Sequence, residues 1–148
     1  MKPKLHHVGI VQPSQEQASM LMTLLGLEED YRGYVEKWSA LCIFTKATSG
    51  SPIEFVIPDG GPLAAFNKGA GGLHHIALEV PSLDRLAQSL QAEGMRLLET
   101  EHVKGAGDFL CNFLSPAYTR GITVEFVEVL GREQSGATRS SGSIGGAA

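Results

Sequence analysis

The sequence predicts an α+β fold built from two tandem β-α-β-β-β modules that enclose a cleft. The observation that predicts it is an internal repeat, and repeats of this length mark repeated structural units. Three segments recur: residues 5–8 (LHHV) as 73–76 (LHHI), residues 13–14 (PS) as 81–82 (PS), and residues 53–56 (IEFV) as 124–127 (VEFV). The first two recur at an offset of 68 residues and the third at 71, so the second copy has three extra residues in its middle.

Each module opens with a strand followed by a helix. The apolar and β-branched runs at residues 5–11 and 73–80 predict the two strands. A serine after each run is placed as a helix N-cap, and a glycine further on lies where a left-handed residue ends a helix. These capping pairs are Ser14 with Gly26 and Ser82 with Gly94. We therefore expect helices that end near residues 25 and 93.

Three shorter β-like runs follow the helix in each module. The clearest are residues 39–45 and 53–57 in the first module and residues 109–114 and 123–130 in the second. With the opening strand and the helix, they complete the predicted β-α-β-β-β order.

The predicted domain spans residues 4–130, with module one at 4–60, a linker at 61–72 and module two at 73–130. The linker is rich in glycine and has a short helical pattern near its start. Residues 131–148 consist largely of Gly, Ser and Ala, which offer little to bury, so we expect a disordered tail.

Composition excludes several function classes. The formal net charge is −4 and the 12 Lys and Arg residues are spread along the chain, so no basic patch for nucleic acid is expected. No apolar run is long enough to span a bilayer, and residues 1–5 do not resemble a signal peptide, so we expect a cytoplasmic protein with a small-molecule substrate. Cys42 and Cys111 each lie in an apolar run, which favours free thiols in the core.

The repeat duplicates a histidine pair on the first strand and a glutamate on the last strand of each module. Strand residues alternate between faces, so only one histidine of each pair is expected to face the cleft, and His6 is expected to point away from His7. Pseudo-twofold packing would bring two histidines and two glutamates to one axis. Buried carboxylates require compensation, which a divalent cation supplies. The ligand types suit Zn, Co, Ni, Mn or Fe and do not distinguish among them.

The repeat, the two His-His strands and the two Glu-bearing strands resemble the vicinal oxygen chelate superfamily over residues 4–130. Within it, the chain is most similar to methylmalonyl-CoA epimerases, through residues 6–11 (HHVGIV), 61–66 (GPLAAF), 105–107 (GAG) and 124–128 (VEFVE). The resemblance implies that the metal ligands are His7, Glu54, His75 and Glu125. It also implies a homodimer.

This resemblance further implies an epimerase that removes the α-proton of an acyl-CoA or related acyl thioester through a metal-stabilised enolate. Such a reaction needs a proton-transfer group on each face of the planar intermediate. In the family that the chain resembles, two glutamates transfer this proton, and one of them corresponds to the metal ligand Glu125. The other is expected upstream of the strand that precedes Glu54, where Glu36 is the candidate.

Two other functions stay open from the sequence. A glyoxalase I-like isomerase or lyase uses the same ligand set and also moves a proton through an enediolate. A non-catalytic, resistance-type binding protein shares the fold, but such proteins characteristically lose the metal ligands, and all four are present here. A ring-cleaving dioxygenase is disfavoured, because the fourth ligand fills a position that dioxygen chemistry needs open.

Overall fold

Two histidine-bearing strands run antiparallel through the middle of one eight-stranded sheet. The structure is a computed structural model, and it describes residues 2–47 and 49–131. Nearly all of the predicted tail lies outside these residues. The strand order is β2-β3-β4-β1-β5-β8-β7-β6, so each module forms one half of the sheet and the halves meet where β1 pairs with β5.

The strands are β1 Lys4–Val11, β2 Glu29–Val35, β3 Ala40–Thr45, β4 Ile53–Pro58, β5 Gly72–Glu79, β6 Val103–Lys104, β7 Phe109–Leu114 and β8 Val124–Val129. The helices are α1 Gln15–Leu25, α2 Gly61–Ala64 and α3 Leu83–Ala92, with 3₁₀ turns at Glu36–Trp38 and Phe66–Gly69. Each half therefore has the predicted β-α-β-β-β order, and the predicted fold class is confirmed. Within the described residues no helix is both long and apolar enough to cross a membrane.

The predicted capping residues begin and end the helices as the sequence indicates. The Ser14 hydroxyl accepts a hydrogen bond from the Gln17 backbone N–H, and the Ser82 hydroxyl accepts one from Arg85. Gly26 adopts the left-handed conformation, with φ of 69°, at the C-terminal end of α1. The caps satisfy backbone groups that a helix end leaves free, and this fixes where each chain segment leaves the sheet and returns to it.

The two longer helices cover one face of the sheet, each over its own module. Ala18 of α1 packs with Ile43 and Phe55, whereas Leu83 and Leu86 of α3 pack near Phe126 of β8. The opposite face forms a single apolar cluster shared by both modules, including Phe44, Val56, Phe109 and Val127. The predicted free cysteines Cys42 and Cys111 belong to this shared cluster, and both are buried and unpaired.

The two outer regions of the sheet approach each other closely through glycines. A Cβ atom at Gly33 in β2 would lie 2.7 Å from the Ala106 carbonyl oxygen, in the loop before β7. One at Gly107, in the same loop, would lie 2.6 Å from the Tyr31 hydroxyl of β2. Real Cβ atoms do not approach other atoms so closely, so glycine at these positions lets the loop at residues 105–107 pack against β2.

Gly33→Ala is expected to separate β2 from this loop and lower the free energy of unfolding by about 1–3 kcal/mol, the usual cost of overpacking. Gly50→Ala is the matched control, because a Cβ there meets nothing within 4 Å. Urea denaturation of both variants measures the difference. Equal stability of the two variants would contradict the close packing of β2 on the loop.

Candidate metal centre

Four ionisable side chains converge at the middle of the sheet: His7, Glu54, His75 and Glu125, called the tetrad below. His7 on β1 and His75 on β5 come from the two central antiparallel strands. Glu54 lies on β4, which runs parallel to β1, and Glu125 lies on β8, which runs parallel to β5. Each module thus contributes one histidine and one glutamate, from equivalent strands of the repeat.

The facing atoms of the tetrad lie within hydrogen-bonding distance. His7 Nε2 is 2.8 Å from Glu54 Oε2 and 3.2 Å from Glu125 Oε2. His75 Nε2 is 2.8 Å from Glu125 Oε2 and 3.3 Å from Glu54 Oε2. The two Nε2 atoms are 3.1 Å apart. All four residues are buried, with exposed fractions from 0% to 7%.

Small residues on the central strands leave room for the tetrad. Gly9 pairs with Glu54 on one side and with His75 on the other. Ala77 pairs with His7 and Glu125, which is the equivalent arrangement in the second module. A Cβ at Gly9 would overlap the His75 ring. Glycine at this position is therefore required for the observed place of the His75 imidazole.

Burial disfavours the charged form of each tetrad residue, but hydrogen bonds within the tetrad outweigh the effect of burial on the pKa. Burial lowers the pKa of an imidazole, but hydrogen bonds to Glu125 and Glu54 raise the pKa of His7 to about 9 and that of His75 to about 10. Burial likewise raises the pKa of a carboxyl, but hydrogen bonds from His7 and His75 bring the pKa of Glu54 and Glu125 well below the usual range. Without another cation, the tetrad holds protons on its imidazoles that balance its carboxylates.

The tetrad also fits a divalent ion. One ligand atom from each of the four residues lies within 4.8 Å of the others, which is the proximity that a shared ion requires. Two imidazole nitrogens and two carboxylate oxygens are ligands that first-row divalent metals accept, and two carboxylates balance a charge of +2. The donor set is thus chemically and sterically suited to one ion.

Comparison with known proteins agrees with this fold. The family model described as the glyoxalase/bleomycin resistance protein/dioxygenase superfamily matches residues 6–113. The chain belongs to this superfamily. The match includes three of the four tetrad residues and ends before Glu125.

Several individual proteins that resemble the chain are methylmalonyl-CoA epimerases. The mitochondrial enzyme of Dictyostelium discoideum is 29% identical, over 84% of this chain and 78% of its own length. The solved epimerase of Mycobacterium tuberculosis has a TM-score of 0.79 at 23% identity, covering 86% of this chain and 88% of that one. An epimerase solved in complex with methylmalonyl-CoA and NH4+ has a TM-score of 0.77 at 22% identity, covering 88% and 96%. At these identities the structural matches show the shared superfamily fold.

A cavity of about 400 Å³ opens onto the tetrad of this superfamily member. Its wall includes Glu54, His75 and Glu125, and it is otherwise largely apolar. The Trp38 and Phe113 rings meet edge to face at 5.4 Å on one side of the cavity. Lys37 and Glu99, also on the wall, form an ion pair of 3.1 Å that links the two modules. The cavity can hold a small organic group against the tetrad while apolar side chains limit the access of water.

The two cysteines have a closer relation to the site than the sequence analysis indicated. Cys42 and Cys111 both line the cavity, and they lie on equivalent strands of the two modules. Burial raises the pKa of both thiols, and the negative charges of Glu54 and Glu125 raise the pKa of Cys42 and Cys111 further, respectively. Both are therefore neutral thiols beside the carboxylates. Their separation of 69 residues falls between the repeat offsets of 68 and 71, and this further repeat signal is visible in the sequence.

Glu36, the predicted second base, lies on the exposed 3₁₀ turn between β2 and β3. The next two residues, Lys37 and Trp38, line the cavity, whereas Glu36 is not part of its wall. The carboxylates that do line it within the described residues are Glu54, Glu99 and Glu125. The structure thus brings the four predicted ligands together and leaves the predicted second base apart from them.

The expectation that His6 points away from His7 is wrong. His6 Nδ1 lies 2.7 Å from His7 Nδ1, and in the second module His74 Nδ1 lies 2.8 Å from His75 Nδ1. The pairing of β1 with β5 shifts register between Leu5 and His7, so regular alternation of faces does not hold there. Both histidines of each pair consequently lie on the side of the tetrad.

Gly9→Ala is expected to displace the His75 ring and to weaken Co²⁺ binding at least about 10-fold, because one ligand of a multidentate site is moved. Gly50→Ala is again the control, since its added methyl group meets no atom. Chelator competition followed by absorbance measures both affinities. Unchanged Co²⁺ affinity in Gly9→Ala would contradict the placement of His75 in the site.

Metal binding is expected to release protons, because the pKa values of about 9 and 10 keep His7 and His75 protonated in the metal-free protein at neutral pH. A metal-bound imidazole nitrogen carries no proton, so roughly two protons leave per ion and affinity falls as the pH is lowered. Calorimetry of Zn²⁺ binding in buffers of different ionisation enthalpy counts the protons. Binding without proton release would contradict the imidazolium-carboxylate state of the tetrad.

Proposed function

We propose that this protein is a divalent-metal-dependent epimerase that removes and returns the α-proton of an acyl-CoA or related acyl thioester, with methylmalonyl-CoA as the first substrate to test. The observation that supports this most directly is the buried tetrad at the floor of an apolar cavity. The similarity to methylmalonyl-CoA epimerase from Dictyostelium discoideum supports the choice of substrate.

In this proposal His7, Glu54, His75 and Glu125 hold the ion. When bound, the ion supplies the positive charge that stabilises an enolate oxygen as it develops. The four residues come from four neighbouring strands of one sheet, so the positions of their ligand atoms are set by strand pairing. Such a rigid support keeps the donors in place without reorganisation during the reaction.

Glu125 is the proposed proton-transfer group. Its carboxylate lines the cavity, where it faces the space that a bound acyl group would occupy. The buried Cys111 thiol beside this carboxylate stays neutral, because burial and the negative charge of Glu125 raise its pKa. The largely apolar wall around it limits the access of water, so the acceptors available to the α-proton are mainly the carboxylates that line the cavity.

The opposite face of a planar intermediate requires a second proton-transfer group. Glu36 stays the predicted residue for this role, although its exposed side chain is outside the cavity wall. Comparing exchange with inversion isolates its contribution, because exchange of the α-proton needs one base and inversion needs two. A Glu36→Gln variant that inverts methylmalonyl-CoA at the wild-type rate would remove Glu36 from the mechanism.

The test of the proposed function uses Co²⁺-loaded protein, methylmalonyl-CoA and D2O. We expect deuterium to enter the α-position and the stereocentre to invert, measured by mass spectrometry and by a chiral assay. Glu125→Gln is expected to lower the exchange rate about 100-fold or more, the usual contribution of a general base. Glu128→Gln is the matched control, since Glu128 lies on the same strand and accepts a hydrogen bond from the Leu83 backbone N–H on the helix side.

Absence of exchange in protein that retains Co²⁺ would overturn the epimerase proposal. The glutathione hemithioacetal of methylglyoxal is then tested with the same preparation, because turnover would identify the glyoxalase I-like alternative. Turnover of neither substrate would leave the non-catalytic binding protein. Size-exclusion chromatography with light scattering tests the predicted homodimer independently.

A further inference from the structure

We propose that His6 and His74 are positioning residues, each of which accepts a hydrogen bond from the Nδ1–H of the neighbouring tetrad histidine and so directs that ring's Nε2 toward the metal. This inference rests on the proposed metal site. It concerns the first histidine of each duplicated pair, to which neither metal binding nor proton transfer is assigned above.

The first support is the backbone at both histidine pairs. In the β1–β5 ladder, Leu5 pairs with Leu78 and His7 with Ala77, so His6 is an extra residue on β1. Further along, Gly9 pairs with His75 and Ile10 with Leu73, so His74 is an extra residue on β5. Two register shifts thus occur in one strand pair, one in each module, and each places its extra residue at the first histidine. A β-bulge of this kind re-aims a side chain beside a functional site.

The second support is the contact that each shift produces. The Nδ1 atoms of His6 and His7 are 2.7 Å apart, and those of His74 and His75 are 2.8 Å apart. The Nε2 atoms of His7 and His75 meanwhile face the carboxylates of the tetrad. Each tetrad ring is therefore held through both of its nitrogens, one toward the site and one toward its neighbouring histidine.

The tautomers follow from these contacts. A neutral imidazole that binds a metal through Nε2 carries its one proton on Nδ1 and donates it. The Nδ1 atoms of His6 and His74 must then accept, which leaves their own protons on Nε2. An acceptor at this position fixes the orientation of the ligand ring and raises its basicity, and loss of such a partner typically costs 10–100-fold in metal affinity.

The two positioning residues have different surroundings. The His6 ring lies 5.3 Å from the Phe109 ring and borders the small pocket that contains Tyr31 and Asp108. The His74 ring lies 4.8 Å from the Phe66 ring of the segment that connects the modules, and it also lines the main cavity. Substitution of His6 should therefore affect metal binding alone, whereas substitution of His74 should also affect the KM for methylmalonyl-CoA.

The experiment compares two substitutions at each position. His6→Leu and His74→Leu remove the acceptor at similar volume, whereas His6→Asn and His74→Asn keep a polar oxygen near the Nδ1 position. His102→Leu is the control, because His102 lies outside the tetrad and pairs with Asp84 at 3.0 Å. Zn²⁺ affinity is measured by chelator competition, and melting temperature is measured on metal-free protein.

We expect each Leu variant to bind Zn²⁺ 10–100-fold more weakly, each Asn variant to recover most of that loss, and the control to match the wild type. Long-range ¹H–¹⁵N NMR of the Zn²⁺-loaded wild type should show His6 and His74 as Nε2–H tautomers. Wild-type affinity in both Leu variants, or equal losses in Leu and Asn variants, would overturn the proposal, as would Nδ1–H tautomers.

The positioning proposal and the epimerase proposal can fail independently in these experiments. The affinities are measured without substrate, so loss of acceptor-dependent Zn²⁺ binding identifies positioning even if methylmalonyl-CoA is not turned over. Conversely, normal deuterium exchange with unchanged affinity in the Leu variants would retain the epimerase and reject the positioning role.

Discussion

Two carboxylates and two imidazoles are packed together in the interior, and the rest of the structure depends on keeping them compensated. An isolated buried carboxylate is strongly destabilising, and a pair of them side by side is more so. Here each carboxylate lies within hydrogen-bonding distance of both imidazoles, so protons or a dication can balance the charge. Among the described residues no buried side-chain nitrogen or oxygen lacks a hydrogen-bond partner. The site is consequently compatible with a folded metal-free protein that exchanges protons for an ion.

Because the module is duplicated, the same local arrangement of strands supplies one histidine and one glutamate from each half of the sheet. The two central strands pair antiparallel, and each has its glutamate-bearing strand parallel on its outer side, so one local arrangement is used twice. Gly9 and Ala77 occupy equivalent places between the ligands and keep the centre from being filled by side chains. Helices α1 and α3 pack over separate modules, on the face of the sheet away from the tetrad. The tetrad geometry is thus a property of sheet register.

Several features could be predicted because they depend on local pattern or on the repeat. The caps at Ser14 and Ser82 follow from side-chain chemistry next to an apolar run, and the convergence of the tetrad follows from duplicated strands. The orientation of His6 could not be predicted, since a register shift depends on how two distant strands pair and alternation of faces assumes none. The resemblance to the epimerase family implies Glu36 as the second base, but which residues of a turn face a cavity depends on the turn's own conformation. Apolar neighbours predict that Cys42 and Cys111 lie in the core, but they do not show that this core also borders the cavity.

The two modules contribute equivalent residues to the tetrad but different residues to the rim of the cavity, meaning the turn with Lys37 and Trp38 and the loop at residues 105–107. This difference affects how a bound molecule is oriented. By the 69-residue offset of the cysteines, the bulky turn that contains Lys37 and Trp38 corresponds to the small loop at residues 105–107. The small loop packs against β2 and lines the cavity only with Gly105 and Ala106, whereas Trp38 lines it with a large ring that contacts Phe113 of the other module. A symmetric centre would present the same surface to a ligand from either half. The unequal rims instead distinguish the two sides of a bound molecule, which is the condition under which Glu54 and Glu125, equivalent in the repeat, can take different roles toward one substrate.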